Sequence, residues 1–203
     1  MKELTFGTTN EAKIKQIRGV LAPAGIVING VTDKSVLPEV IEDGKTANEN
    51  ARKKALAYAK ALGKTVLSMD NALYINRLPD DRQPALNVRR IDGKTATTDE
   101  EMIEYYSKLI ERLGGKAEGY WEFGICIATS EGEYKETTIK SPRTFVSTPT
   151  TNIQAGYPLE SIQIDPASEK YIADMTQEEQ DIFWQKAIGD KLLDFVKSSL
   201  CQG

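Results

Sequence analysis

An alanine at every fourth position, Ala47, Ala51, Ala55 and Ala59, runs along one side of a helix predicted over Ala47–Leu62. Residues four apart share a helix face. This helix therefore shows its neighbours a strip with almost no side-chain bulk, and a β-sheet can approach it closely. Gly63-Lys64 then turns the chain into Thr65-Val66-Leu67-Ser68-Met69, a short apolar run that predicts a buried strand. A smooth helix feeding a buried strand is an α/β signature. The same stretch carries ionisable groups: Glu49 in the first helical turn, Lys54 further along, and Asp70 just after the predicted strand. Ligands of open α/β sheets bind outside the carboxyl ends of the strands. Two carboxylates and an ammonium there suit a divalent cation and a polyphosphate.

Plainer roles compete at each position. Thr46-x-x-Glu49 fits a capping box, and local sequence alone favours that role for Glu49. Glu49 and Lys54 lie five residues apart, about 140° around a helix, so they share a site only if the lysine bends. Asn50 and Lys54 are four apart and share a face. An aspartate at a strand end is commonly a solvated loop residue or a helix cap, but Asn71-Ala72-Leu73 is a weak helical start.

Upstream, Glu3–Phe6 predicts a strand, followed by Thr8-Thr9-Asn10-Glu11-Ala12-Lys13 and a helix with Ile14, Ile17, Val20 and Leu21 at helical spacing. A polar loop between a strand and a helix N-terminus can receive an anion on its free N–H groups, with Lys13 adding charge. Thr8 to Asn10 can equally serve only to cap the helix. Ile26–Ile28 and Val36–Val40 predict short extended segments. Arg77–Lys94 predicts a loop crossing between lobes. Thr98-x-x-Glu101 caps a helix reaching Leu113, with Met102, Tyr105, Tyr106, Leu109, Ile110 and Leu113 on its apolar face. Tyr120–Thr129 and Tyr134–Lys140 predict a hairpin about Ser130-Glu131-Gly132, which Arg143–Ser147 continues or pairs with. Ser161–Ile164 predicts a further strand. Thr176-x-x-Glu179 opens a last helix with Phe183, Trp184, Ala187, Ile188, Leu192, Phe195 and Val196 on its buried side.

Composition removes whole classes of chemistry. The 203 residues include no histidine, which excludes imidazole acid–base catalysis, histidine-ligated zinc and the Ser–His–Asp triad. A formal charge of −4 argues against a nucleic-acid partner held by a basic surface. No apolar run is long enough to cross a membrane and the start lacks a signal pattern, so a cytoplasmic protein without membrane partners is expected. No disulfide is expected between Cys126, in an apolar strand pattern, and Cys201.

Five segments in order resemble the Ham1/inosine-triphosphatase family. Thr8-Thr9-Asn10-Glu11-Ala12-Lys13 is similar to its T-x-N-x-x-K loop, and Glu49-Asn50-Ala51-Arg52-Lys53-Lys54-Ala55 to its E-N-A-x-x-K-A helix. Met69-Asp70-Asn71-Ala72-Leu73 stands where the family has D-D-S-G-L, and Pro84–Gly93 resembles P-G-V-Y-S-A-R-Y-A-G. Lys170-Tyr171-Ile172-Ala173-Asp174-Met175-Thr176 is similar to K-T-F-A-E-M-T. The resemblance implies an elongated mixed β-sheet flanked by helices, forming one domain over 1–203 with two lobes and a central cleft, commonly homodimeric. It implies Mg²⁺-dependent hydrolysis of non-standard purine triphosphates such as ITP, dITP or XTP to the monophosphate and pyrophosphate. Thr8, Asn10, Lys13, Lys54 and Lys170 would hold the triphosphate, Glu49 and Asp70 the metal, and Asp70 would be the catalytic carboxylate.

The base-reading segments depart from the pattern. Gln154-Ala155-Gly156-Tyr157-Pro158-Leu159 stands where the family has G-F-G-Y-D-P, so Pro158 replaces an aspartate. Trp184-Gln185-Lys186 replaces S-H-R, and lysine cannot reproduce the fork of donors of arginine. Met69 and Ala72 replace an aspartate and a glycine. Tyr157 can stack on a base or pack the fold; Gln185 and Lys186 can donate to a 6-keto oxygen or face water. Two alternatives stay open: a nucleotide-binding regulatory protein with weak turnover, and a phosphohydrolase for other modified nucleotides.

Overall fold

Ala51, Ala55 and Ala59 are fully buried, packed with Val66, Cys126 and Ala128 in one apolar cluster. The alanine strip does what its spacing predicts. It lies on α2 (Ala47–Leu62), which is followed by β3 (Val66–Ile75). The computed structural model describes residues 2–31, 33–91, 93–94 and 97–200. Before α2 come β1 (Lys2–Phe6), α1 (Glu11–Leu21) and β2 (Ile26–Gly30). After β3 follow α3 (Asp99–Arg112), β4 (Lys116–Ala128), β5 (Tyr134–Val146), β6 (Gln163–Ile164), α4 (Gln177–Trp184), a π-helical turn over Gln185–Gly189, and α5 (Asp190–Leu200). The strands form a six-stranded sheet in the order β2-β1-β3-β4-β5-β6. β1 is parallel to both β2 and β3, whereas β5 and β6 are antiparallel, so the sheet is mixed and the fold α/β, as expected.

Two compact units divide the chain. The first comprises Met1–Asn71, Glu122–Lys140 and Phe183–Gly203; the second comprises Ala72–Trp121 and Ser141–Ile182. In the first, Gly124 of β4 faces the start of α2. A Cβ there would lie 2.2 Å from the Ala47 carbonyl carbon and 2.3 Å from the Asn48 nitrogen, so the helix backbone rests directly on the strand. In the second, Met102, Ile103, Tyr106 and Ile110 of α3 pack with Leu73, Ile75, Ala117, Phe145, Leu159 and Ile162. Thr98 and Glu101 complete the predicted capping box of α3. No described helix is long and apolar enough to cross a membrane. Cys126 is a buried free thiol; Cys201 lies outside the described residues.

Several boundaries differ from expectation. β3 does not stop at Met69 but runs on to Ile75, so Asp70 sits within the strand. The polar pair Asp70-Asn71 interrupts the apolar pattern without ending the strand, and beyond it Leu73 exchanges both backbone hydrogen bonds with Ala85 in an isolated bridge. Val36–Val40 forms no strand. Asp33 accepts from the Ser35 N–H and hydroxyl, which begins a 3₁₀ turn over Lys34–Val36, and Pro38 has no N–H for a ladder. The segment Arg77–Lys94 begins and ends inside the second unit instead of crossing between lobes. There the Gln83 side chain bonds both the N–H and the C=O of Ile75, acting as a substitute strand. Tyr134–Lys140 and Arg143–Val146 belong to one long strand. The Ser161–Ile164 strand shrinks to β6, because Pro158 starts a 3₁₀ turn that holds the chain to Ile162. The last helix is broken by its π turn, where a Cβ on Gly189 would meet the Gln185 side chain at 2.4 Å.

The contact at Gly124 is backbone against backbone, so neither side can yield by changing a rotamer. Gly124→Ala should destabilise the chain by about 1–3 kcal/mol, lowering Tm by roughly 2–12 °C in a thermal melt.

Candidate functional site

β1 hands over to α1 through a loop pressed against β3. Gly7 donates to Leu67 O at 2.7 Å, and a Cβ on it would lie 2.7 Å from Ser68 Oγ. Only glycine fits so near a neighbouring strand. The Asn10 N–H donates to Thr8 Oγ1, and Asn10 Oδ1 accepts from the N–H groups of Ala12 and Lys13. Capping is therefore a realised function of this loop, and two of the N-terminal donors of α1 are already used. Lys13 is half-buried in the first turn.

The N-terminus of α2 brings the second set of groups to β3. Thr46 Oγ1 accepts from the Glu49 N–H at 3.2 Å. Glu49 Oε2 accepts from the Lys45 N–H at 2.6 Å, one residue before the cap, so the reciprocal half of the predicted box is displaced. Asn50, one residue on, is 3% exposed and donates from Nδ2 to Asp70 Oδ2 at 3.0 Å. Its Oδ1 accepts from the Gly44 N–H at 2.8 Å. Lys54, also largely buried, places Nζ 3.5 Å from Asp70 Oδ1, 3.4 Å from Glu42 Oε2 and 3.4 Å from Met69 O. Three long contacts, each near the outer limit of a hydrogen bond, mean that Lys54 is held chiefly by charge. An ammonium shared in this way can exchange one partner for a phosphate oxygen at modest loss.

The structure thus joins Lys54 to Asp70 and adds two groups to which the sequence reading assigned no role in the site, Asn50 and Glu42. Asn50 had a legible signal, its place four residues before Lys54. Glu42 lies in an irregular loop and had none. Glu49 is half-buried at the same helix end, with its carboxylate turned to Lys45. Among the described residues no three Asp, Glu, Cys or His side chains gather as a metal cage. Mg²⁺ does not require one, because it takes one or two carboxylates and completes its shell with water and phosphate oxygens. The cation already beside Asp70 Oδ1 shows that this carboxylate is placed to face positive charge. Carboxylate oxygens of this kind are the donors that such a metal takes.

Of the remaining predicted residues, Lys170 and Gln185 have other local partners. Lys170, in the second unit, meets both carboxylate oxygens of Glu179 at 2.8 Å, and Glu179 also forms the capping box with Thr176. Tyr157 is half-buried, and burial, reinforced by Glu160, raises its phenol well above the ordinary value. Gln185 donates to Asp190 Oδ1 at 3.4 Å from within the π turn, and Lys186 is exposed.

Comparison with known proteins places the chain in a family. The profile of the Ham1 family matches residues 4–187. The chain belongs to the Ham1 family. Among Ham1 relatives, the dITP/XTP pyrophosphatase of Halalkalibacterium halodurans is 28% identical over 89% of this chain and 91% of its own length. That of Staphylococcus aureus is 33% identical over 68% of this chain and 67% of its own. That of Desulfotalea psychrophila is 34% identical, but the match spans just 56% of that relative. The solved Ham1 structure from Staphylococcus aureus superposes with a TM-score of 0.69 at 24% identity, covering 98% of this chain and all of the other. The Ham1 structure from Coxiella burnetii gives 0.72 at 21%, over 98% of this chain and all of that one. Both establish the fold. Within this Ham1 chain, Met69 and Ala72, which flank the Asp70 pair where the family pattern has an aspartate and a glycine, are buried at 4% and 1% exposure.

The second unit holds a buried carboxyl of its own. Glu160 is 3% exposed, neither of its carboxyl oxygens has a hydrogen-bond partner among the described residues, and burial pushes its pKa up to about 8 against partial compensation by Arg143. The folded chain holds that proton more tightly than the unfolded chain, whose carboxyl titrates near 4.5. The stability contributed by Glu160 is therefore full below about pH 4.5, falls as pH rises towards 8, and is flat beyond. Burial lowers Arg143 only to about 10, above this window. Urea unfolding at pH 5 and pH 8 should show a loss of stability between them that is smaller in Glu160→Gln.

Proposed function

We propose that the chain is a Mg²⁺-dependent nucleoside triphosphate pyrophosphatase. It hydrolyses non-standard purine triphosphates such as ITP, dITP or XTP to the monophosphate and pyrophosphate. One observation carries this: a half-buried carboxylate, Asp70, stands 3.5 Å from the ammonium of Lys54 in a chain that belongs to the Ham1 family. The relatives named dITP/XTP pyrophosphatase, one matched over 91% of its length, support the substrate class.

The chemistry needs few groups. A water oxygen bonds to the α-phosphorus, the bond to the bridging oxygen breaks, and pyrophosphate leaves with the electron pair. Such reactions depend on positioning and charge neutralisation, and a chain without histidine can supply both. Asp70 orients the attacking water and accepts its proton. Lys54 moves from the Glu42 carboxylate to a phosphate oxygen, and Lys13 adds a second ammonium from the first turn of α1. Thr8 and Asn10 shape the loop that the phosphates approach. Bound Mg²⁺, held by Asp70 and Glu49, would neutralise charge on the phosphate oxygens. Gln185 and Lys186 are the candidates on the last helix for donating to the 6-keto oxygen of a purine. Residues 1–203 act as one domain of a homodimeric, cytoplasmic enzyme, with sedimentation velocity as the check on the dimer.

Pyrophosphate release measured with Mg²⁺ from ITP, dITP, XTP and the standard triphosphates tests the assignment. Turnover of at least one non-standard purine triphosphate is expected. Asp70→Asn should lower kcat by about 10²–10⁴-fold, the usual worth of a positioned proton acceptor, with nucleotide binding retained. Tight binding without turnover of any nucleotide would make the chain a nucleotide-binding protein instead.

A further inference from the structure

The geometry points to Asn50 as the positioning residue that aims the Asp70 carboxylate, an inference that rests on the pyrophosphatase assignment above. Asp70 has two neighbours of different kinds. Lys54 sits at Oδ1 with a long 3.5 Å contact, and its charge is divided among Asp70, Glu42 and Met69 O. Asn50 Nδ2 sits at Oδ2 with a 3.0 Å hydrogen bond. A phosphate drawing Lys54 away would leave Asn50 as the remaining restraint on the carboxylate.

The amide itself is fixed from behind. Gly44 offers an N–H, which can only donate, so the oxygen of Asn50 must face Gly44 and the nitrogen must face Asp70. Reversing the amide would set donor against donor and acceptor against acceptor. The fit allows no slack, because a Cβ on Gly44 would lie 2.6 Å from Asn50 Oδ1. Asn50 also occupies the first turn of α2, which rests on Gly124 with no room to shift. The chain Gly44–Asn50–Asp70 therefore transmits the position of the helix to the carboxylate. A neutral amide is well suited to this role, since it holds Oδ2 without supplying a proton to it, which leaves Asp70 able to accept one from water.

Two variants separate orientation from packing. Asn50→Ala removes both hydrogen bonds. Asn50→Asp keeps the shape and can still accept from Gly44, but it cannot donate to Asp70 when ionised. Three-bond couplings from Asp70 Cγ to its backbone nitrogen and carbonyl carbon, measured by NMR, report χ1 without any need for turnover. Couplings of a single rotamer in the native protein and averaged couplings in Asn50→Ala are expected. Both variants should lose about 10- to 100-fold in kcat, the range for residues that orient a reacting group, with KM for the nucleotide altered less than about threefold. Unchanged couplings in Asn50→Ala, or native kcat in Asn50→Asp, would overturn the inference. So would a loss of activity that follows KM or melting temperature in place of kcat. If the native chain releases no pyrophosphate from any nucleotide, the pyrophosphatase assignment fails. The couplings then decide alone, averaging supporting the hold of Asn50 on Asp70 and unchanged values refuting it.

Discussion

The structure depends on how near α2 comes to the sheet. Three alanines with no exposure form its buried face, and its first turn lies on Gly124 at a separation that no Cβ would permit. Dispersion and apolar burial both reward such contact, since a helix face without bulk leaves no gap for its lining to lose partners across. The consequence reaches beyond stability. Because the helix backbone lies at this distance, short side chains suffice to bridge to β3. An asparagine spans from the helix to Asp70, and a lysine brings its ammonium to the same carboxylate. A bulkier helix face would place the same groups out of reach.

Asp70 and Asn71 form a half-buried polar step in a strand that is otherwise almost wholly buried. Such a step has an energetic cost unless its groups are hydrogen-bonded or paired with charge. At Asp70 the requirement is met by one neutral donor and one shared ammonium, a combination that stabilises the carboxylate while keeping one oxygen weakly committed. The arrangement contrasts with Lys170 and Glu179, where both carboxylate oxygens lie 2.8 Å from the ammonium and one of them, Oε2, also accepts from the Thr176 N–H at a helix cap. The looser pair is the one suited to exchanging partners with a ligand. Glu160 shows what happens when a buried carboxylate lacks such donors: its proton is retained into the neutral range.

Much of this was legible beforehand where a rule depends on near neighbours in sequence. The limits of α2, the capping boxes of α3 and α4, the long hairpin and the apolar face of α3 all follow from periodicity and capping chemistry. The rule failed where long-range pairing overrode local pattern. β3 passes through Asp70-Asn71 because its ladder partners lie elsewhere in the chain, and the extended segment expected over Val36–Val40 opens in a 3₁₀ turn that takes in Val36. Within the site, Lys54 and Asp70 were named from their types and positions. Asn50 was noticed only as a helix neighbour, and Glu42 carried no signal, since a loop side chain acquires its partner from the path of the whole chain.

By itself the sequence determined the kinds of chemistry available and the elements that carry them. Carboxylates, amines and amides stand in place of imidazole, on a smooth helix followed by an apolar strand, because residue types and their spacing are local properties. Tertiary structure alone decided which of these groups meet. The 3.0 Å bond from Asn50 to Asp70 links residues twenty apart, and the turning of Glu49 to Lys45 was set by the actual backbone at the helix start. Distances of that order depend on the packing of α2 against Gly124 of β4, seventy-seven residues beyond Ala47, and no short-range pattern encodes it.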